Sequence, residues 1–199
     1  MIFSEVIFYF TKRTTFILII AARAGLWELY FDVWENMMFK PTYVFDKAGS
    51  ITPEFLHKKK IKGLILDLDN TLTTHNNPVP PQSSLDWLDC MRAAGIKLMI
   101  VSNNHAPRVK PFAEKLGVDF VSEGKKPLTF GYTKAIRKMG LKKENVATVG
   151  DQIFTDIMGA NLKGIRSFFV FPIEPETGFW FRVKRKIEKA FLPKSFTKL

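Results

Sequence analysis

From Lys62 onward, short apolar runs alternate with amphipathic stretches, a rhythm that predicts strands separated by helices. Residues 63–66, 97–101, 120–121, 146–149 and 166–171 have the length and apolar content of buried strands, while 83–94, 107–116, 128–139 and 155–162 carry a helical period. Ser83 and Ser84 stand where an N-cap belongs, and Gly95, Gly117 and Gly140 follow their helices where a terminating glycine belongs. Strands alternating with helices of this length imply right-handed crossovers, a parallel sheet covered on both faces, and ligand binding at the carboxyl ends of the strands.

Residues 1–36 differ from everything after them. An apolar run from Phe16 to Ala22 follows Lys12 and Arg13, far short of the ~20 residues that span a bilayer. It mimics a signal peptide ending in small residues, but the rest of the chain gives export no support. The remaining alternatives are an interfacial helix or an extension upstream of a start at Met37 or Met38, and the extension is preferred. The expected division is thus an extension at 1–36, a domain at 37–192 and a tail at 193–199.

Composition narrows the picture. The 199 residues, 46% of them hydrophobic, suffice for one domain with a sizeable core and exclude wholesale disorder. Cys90 is the one cysteine, so no intrachain disulfide can form and a reducing cytoplasm is the natural compartment. Its apolar, helix-like neighbourhood predicts a buried small hydrophobe. His57, His75 and His105 lack ligand spacing, which argues against zinc and predicts surface or loop positions. The net charge of +11 calls for an anionic partner: nucleic acid, anionic lipid or a phosphorylated substrate. From Arg182 to Lys198 seven Lys or Arg stand against one Glu, so the basic character is concentrated at the end of the chain.

The candidate chemistry lies where strands end. The apolar run Leu64-Ile65-Leu66 stops at Asp67-Leu68-Asp69-Asn70-Thr71, and carboxylates one residue apart at a strand end can be aimed into one crevice. Like charges so crowded repel unless a cation joins them, and magnesium, a hard oxygen-seeking ion, is suited to that place. A lone pair of such aspartates would more often be turn chemistry. Here a second strand ends in Gly150-Asp151, with Asp156 near the next helix start; a third ends in Ser102-Asn103-Asn104; and Lys125-Lys126-Pro127 places a cation before a helix that Pro127 would open.

Together these strings resemble the four motifs of the haloacid dehalogenase (HAD) superfamily, DxDxT, a strand-end Ser or Thr, a Lys before Pro, and GDxxxD. More narrowly they are similar to subfamily IIIA and the bacterial YqeG group, whose relatives include mitochondrial phosphatidylglycerophosphate phosphatases. The Ser-Asn-Asn, Lys-Pro and Gly-Asp-Gln-x-x-Thr-Asp strings, with the aromatic and basic stretch 178–190, carry the closer match, which runs from about Met38 to Leu192. The resemblance implies an α/β fold, a HAD-like Rossmannoid three-layer sandwich with a central parallel sheet. It also implies a Mg2+-dependent phosphomonoester hydrolase.

By the same resemblance, Asp67 is the nucleophile that forms an aspartyl-phosphate, and Asp69 is the general acid and base. Mg2+ would be held by the Asp67 carboxylate, the Asp69 backbone carbonyl and Asp151, with Asp156 acting through water or as an orienting group. Ser102 would hold a phosphate oxygen, and Lys126, preferred to Lys125 for its place beside Pro127, would stabilise the transferring phosphoryl group. Thr71 is a phosphate-binding candidate or a turn residue, and Asn103 would help hold phosphate or metal-bound water, or merely satisfy the loop backbone, with the binding role preferred.

The segments 71–83 and 120–126 are too short for a separate cap domain, which favours a large substrate presented by a surface. Trp180, Val183, Ile187, Ala190 and Phe191 recur at helical spacing, with Arg182, Lys184, Arg185, Lys186 and Lys189 between them. Such a helix can lie on anionic lipid, or pack its aromatic face on the domain and leave its charges in water. The resemblance implies phosphatidylglycerophosphate as the substrate, with the protein cytoplasmic and peripheral on the inner membrane face. A soluble nucleotide, sugar or polynucleotide phosphatase is the alternative, and a nucleic-acid or ribosome-binding module is the alternative of another class.

Overall fold

A computed structural model describes residues 34–74, 79–175 and 178–192. The reading of 1–36 as an extension therefore falls almost wholly outside the described residues, as do His75 and the tail 193–199. The chain divides into two units, Met1–Met38 and Phe39–Leu199. Of the first, the described residues are helical.

In the second unit the strands are β1 (Tyr43–Phe45), β2 (Gly63–Leu66), β3 (Lys97–Val101), β4 (Asp119–Val121), β5 (Val146–Gly150) and β6 (Arg166–Val170). The helices are α1 (Pro53–Lys58), α2 (Gln82–Ala93), α3 (Ala106–Leu116), α4 (Phe130–Met139), α5 (Met158–Lys163) and α6 (Phe179–Glu188). The strands form one sheet in the order β1-β6-β5-β2-β3-β4, and every pairing is parallel. All four residues of β2 are buried, as an unbroken apolar run in the middle of a parallel sheet requires. Alternate side chains point to opposite faces. Leu64 and Leu66 pack with Phe55, Leu88 and Phe112 of α1, α2 and α3, whereas Ile65 packs with Tyr132, Ile136 and Ala160 of α4 and α5. This is a three-layer sandwich. Among the described residues no cap domain interrupts it.

The topology places the site. The chain runs outward from β2 through β3 to β4, then returns along α4 to β5 on the other side of β2. The strand order therefore reverses between β2 and β5, and a crevice opens at their carboxyl ends. Asp67 follows β2 directly and Asp151 follows β5 directly.

Several local expectations need correction. β1 and α1 carry no pattern long enough to read, being three and six residues. Pro81, rather than a serine, occupies the N-cap of α2; the Ser84 hydroxyl instead donates to the Leu72 carbonyl at 2.8 Å, tying the helix to the loop after β2. Pro127 does not open α4. It lies in a turn behind a cis Lys126–Pro127 bond, and the helix begins at Phe130. The stretch 155–162 is split between a π-helical turn, Ile153–Ile157, and α5. Cys90 is exposed, because α2 turns Trp87, Leu88 and Met91 inward and position 90 away. His57 and His105 are exposed as expected.

Of the two readings of α6, packing of the aromatic face on the domain is the one the structure does not follow. Its aromatic face does not pack on the domain: Phe179, Trp180, Val183 and Ile187 are 65, 78, 37 and 51% exposed. Its inward side carries Lys184, Arg185 and the buried Glu188. Beyond the helix Phe191 turns inward and meets Phe39 and Phe154.

Candidate active site

The backbone remains in the sheet through Asp67, whose N–H donates to the Val149 carbonyl at 2.9 Å. The chain then turns at Asn70, which adopts a left-handed φ of 65° tolerated by its short polar side chain. The Asn70 N–H donates to the Thr73 carbonyl at 2.6 Å, and its side-chain amide exchanges two 2.9 Å bonds with the Glu174 backbone. The loop that carries Asp69 is thereby fastened to the segment leaving β6. Asp69 is pinned from the other side, accepting from Asn104 at 2.6 Å and from Arg108 of α3 at 2.7 Å.

Thr71 returns toward the strand ends, and its hydroxyl lies 3.3 Å from Asp67 Oδ2 and 3.4 Å from Asp151 Oδ1. Asp156 reaches the same crevice from the π-helical turn, a distortion that recurs at functional sites. Gly150 makes room for it: a Cβ there would stand 2.4 Å from the Asp156 carboxyl carbon. The carboxylates of Asp67, Asp151 and Asp156 each offer an oxygen within 4.8 Å of the others. Lys126, its side chain only 4% exposed, joins two of them, pairing with Asp67 and, at 2.6 Å, with Asp156.

Lys126 gets there through Asn103, whose side chain accepts from the Lys126 N–H at 2.6 Å and donates to the Lys126 carbonyl at 3.0 Å. Asn103 is thus turned to the loop backbone. The Ser102 side chain is buried after β3, accepting from the Asn104 N–H at 3.1 Å. Lys125 is exposed in a left-handed conformation and does not enter the crevice. The structure therefore brings Asp67, Asp151, Asp156, Lys126 and Thr71 together, with Asp69 held by Asn104 and Arg108 on the adjoining loop.

The family model of haloacid dehalogenase-like hydrolases matches residues 77–162. Over 154 residues the chain is 41% identical to the probable phosphatase YqeG of Bacillus subtilis, a match spanning 77% of this chain and 90% of the relative. The chain belongs to the haloacid dehalogenase-like hydrolases, and it is a phosphatase. Its fold is similar to that of a haloacid dehalogenase-like hydrolase from Brucella suis, at 11% identity and a TM-score of 0.51 over 63% of this chain and 88% of that one. A further similar structure is 3-deoxy-D-manno-octulosonate 8-phosphate phosphatase from Moraxella catarrhalis, solved with magnesium, phosphate and KDO (17% identity, TM-score 0.44, covering 70% and 93%).

A haloacid dehalogenase-like phosphatase uses a divalent metal, and the residues present fit one. Burial first, then the charges of Asp156 and Asp69, pushes Asp67 up to about 6 even though Lys126 opposes the shift. Burial and the neighbouring Asp67 push Asp151 up to about 8 against the pull of Arg185. Burial alone would lower the Lys126 ammonium, but Asp156 and Asp67 more than offset it and hold it above its ordinary value. Asp67, Asp151, Asp156 and Glu188 against Lys126 and Arg185 leave negative charge in excess, and an oxygen-coordinated dication is the species that relieves it.

Sequence reasoning missed Asn70, Arg108, Arg185 and Glu188 as parts of this phosphatase site. Arg185 of α6 donates to both the carboxylate and the backbone carbonyl of Asp151, and pairs at 2.9 Å with Glu188. The sequence alone places it among the basic positions of an amphipathic helix, facing lipid or water. The signal available was the lone Glu188 three residues later, an acidic exception in a basic helix.

Proposed function

We propose that the protein is a magnesium-dependent phosphomonoesterase that removes the terminal phosphate of phosphatidylglycerophosphate at an anionic membrane surface. The observation that supports the chemistry is the meeting of Asp67 with Lys126 beside Asp151 and Asp156 at the β2–β5 crevice.

In this reading an Asp67 carboxylate oxygen attacks phosphorus, and the ester oxygen departs with the proton that Asp69 supplies. Water then attacks the same phosphorus, Asp69 takes its proton, and the Asp67–phosphorus link breaks to release inorganic phosphate. Lys126 draws Asp67 into place and balances charge on the transferring group, while the Thr71 and Ser102 hydroxyls hold phosphate oxygens. Asn103 serves through the backbone of Lys126. Asp67, Asp151, Asp156 and the Asp69 carbonyl would hold magnesium, which supplies charge neutralisation at the phosphoryl oxygens when bound.

The lipid assignment is supported by α6. The helix sets Phe179, Trp180, Val183 and Ile187 outward, and exposed Arg182, Lys186 and Lys189 follow on one side of that stripe. An apolar stripe edged by cations suits the boundary of an anionic leaflet. No described helix is long and apolar enough to cross a membrane, and the association proposed is peripheral, on the cytoplasmic leaflet. The catalytic unit is 37–192.

The test is phosphate release from phosphatidylglycerophosphate in mixed micelles, with magnesium or EDTA, against a small nucleotide and against Asp67→Asn. Release that needs magnesium, prefers the lipid and vanishes in the variant is expected. Release from the nucleotide alone would retain the phosphatase chemistry and remove the lipid. Inactivity on both, with RNA binding that survives Asp67→Asn, would overturn the reading in favour of a binding module.

A further inference from the structure

We propose that Arg185, braced by Glu188, is a positioning residue of the metal site, so that α6 is a working part of that centre rather than a surface appendage. The proposal rests on the metal reading of Asp67, Asp151 and Asp156. Arg185 meets Asp151 with both ends of its fork: one guanidinium nitrogen donates to Asp151 Oδ2 and the other to its backbone carbonyl. Asp151 Oδ1 is left facing Thr71 and the crevice. The carboxylate and its peptide are thus gripped together, a task for a planar fork and not for the point charge of a lysine.

Glu188 completes the clasp. One carboxylate oxygen pairs with Arg185 at 2.9 Å, and the other accepts from the Ile153 N–H at 2.9 Å and the Phe154 N–H at 3.4 Å. Lys184 adds a 2.5 Å bond to the Gln152 side chain. Three residues of α6 therefore hold the turn that runs from Asp151 toward Asp156.

Docking alone does not account for this arrangement. Buried ion pairs carry a desolvation penalty that apolar packing avoids, and the helix has an apolar face available for packing yet turns it outward. Arg185 and Glu188 also cancel in charge, so the pair brings orientation to Asp151 without adding net charge. Groups that orient metal-ligating side chains commonly contribute about 10- to 100-fold in metal affinity.

The experiment measures Mn2+ binding to the full chain by electron paramagnetic resonance, alongside thermal unfolding without metal. The double variant Arg185→Met/Glu188→Gln preserves net charge, and Arg185→Lys preserves the charge while losing the fork. The expected result is a dissociation constant for Mn2+ raised about 10- to 100-fold in the double variant and less in Arg185→Lys. Activity should recover as magnesium is raised, because a lost orienting group changes the metal requirement ahead of kcat. Affinity within about twofold of the parent in folded variants overturns the proposal, and if the double variant does not fold, Arg185→Lys decides by the same criterion. A parent that binds no Mn2+, or whose binding survives Asp151→Asn, would overturn the metal reading itself.

Discussion

Lys126 shows how much of the site hangs on one side chain. Its ammonium is enclosed with Asp67 and Asp156, both nearly buried, and replacing it with methionine would leave two carboxylates without their cation. Breaking such a buried pair costs about 3–5 kcal/mol, so Lys126→Met should unfold at markedly lower urea than the parent and lose about 10²- to 10³-fold in phosphate release. The raised carboxyls add a pH signature. Burial pushes Asp67 up to about 6 and Asp151 up to about 8 in the folded chain, above the ordinary carboxyl range. The native state therefore holds more protons than the unfolded chain, and the stability these groups contribute is present below about pH 4 and is lost as the pH rises toward 8. In EDTA the melting temperature should fall across that window, and saturating magnesium should flatten the decline. Asp67 and Asp151 were legible because each sits where an apolar run stops. Arg185 was not, since its register against Asp151 is set by tertiary docking, and the role of Asn103 depends on a loop geometry that no local pattern encodes.

At the level of elements, the strand–turn junctions carry the tightest constraints. A methyl group on Gly150 would press on both the Cβ and the carboxyl carbon of Asp156, at 2.5 and 2.4 Å. Gly150→Ala should therefore destabilise by about 1–3 kcal/mol and weaken metal binding as Asp156 is displaced, which calorimetry can measure together. The central strands β2 and β5 could be read almost to the residue because both their faces are buried, and β3 because Met99 to Val101 form a buried apolar run. β1 could not, since three residues at a sheet edge make no period. The helical spacing in 179–191 correctly indicated an amphipathic helix, but an amphipathic pattern defines two faces without saying which one the domain receives. What decides the orientation of α6 is the pair Arg185 and Glu188, which find Asp151 and the 153–154 turn on the inward side.

Across the whole molecule, the +11 charge and the exposed aromatic stripe of α6 belong to one expectation, attraction to an anionic surface. The double variant Phe179→Ser/Trp180→Ser touches two highly exposed side chains, so its stability should stay within about 0.5 kcal/mol of the parent. Its sedimentation with phosphatidylglycerol vesicles should drop sharply. Binding of the parent should weaken as salt is raised, while uncharged phosphatidylcholine vesicles should hold little protein. Equal sedimentation of parent and variant would remove α6 from the membrane account and leave the phosphatase chemistry untouched. The open crevice, without a cap domain among the described residues, fits a substrate presented by such a surface.

The claim beneath all of this is that Asp67 carries the phosphoryl group. Trapping with borohydride during turnover tests it directly, because reduction of an aspartyl-phosphate leaves homoserine at that position, which peptide mass spectrometry detects. The account predicts homoserine at position 67 only when substrate and magnesium are both present; an unmodified Asp67 in protein that is releasing phosphate, or a label on another residue, would contradict it.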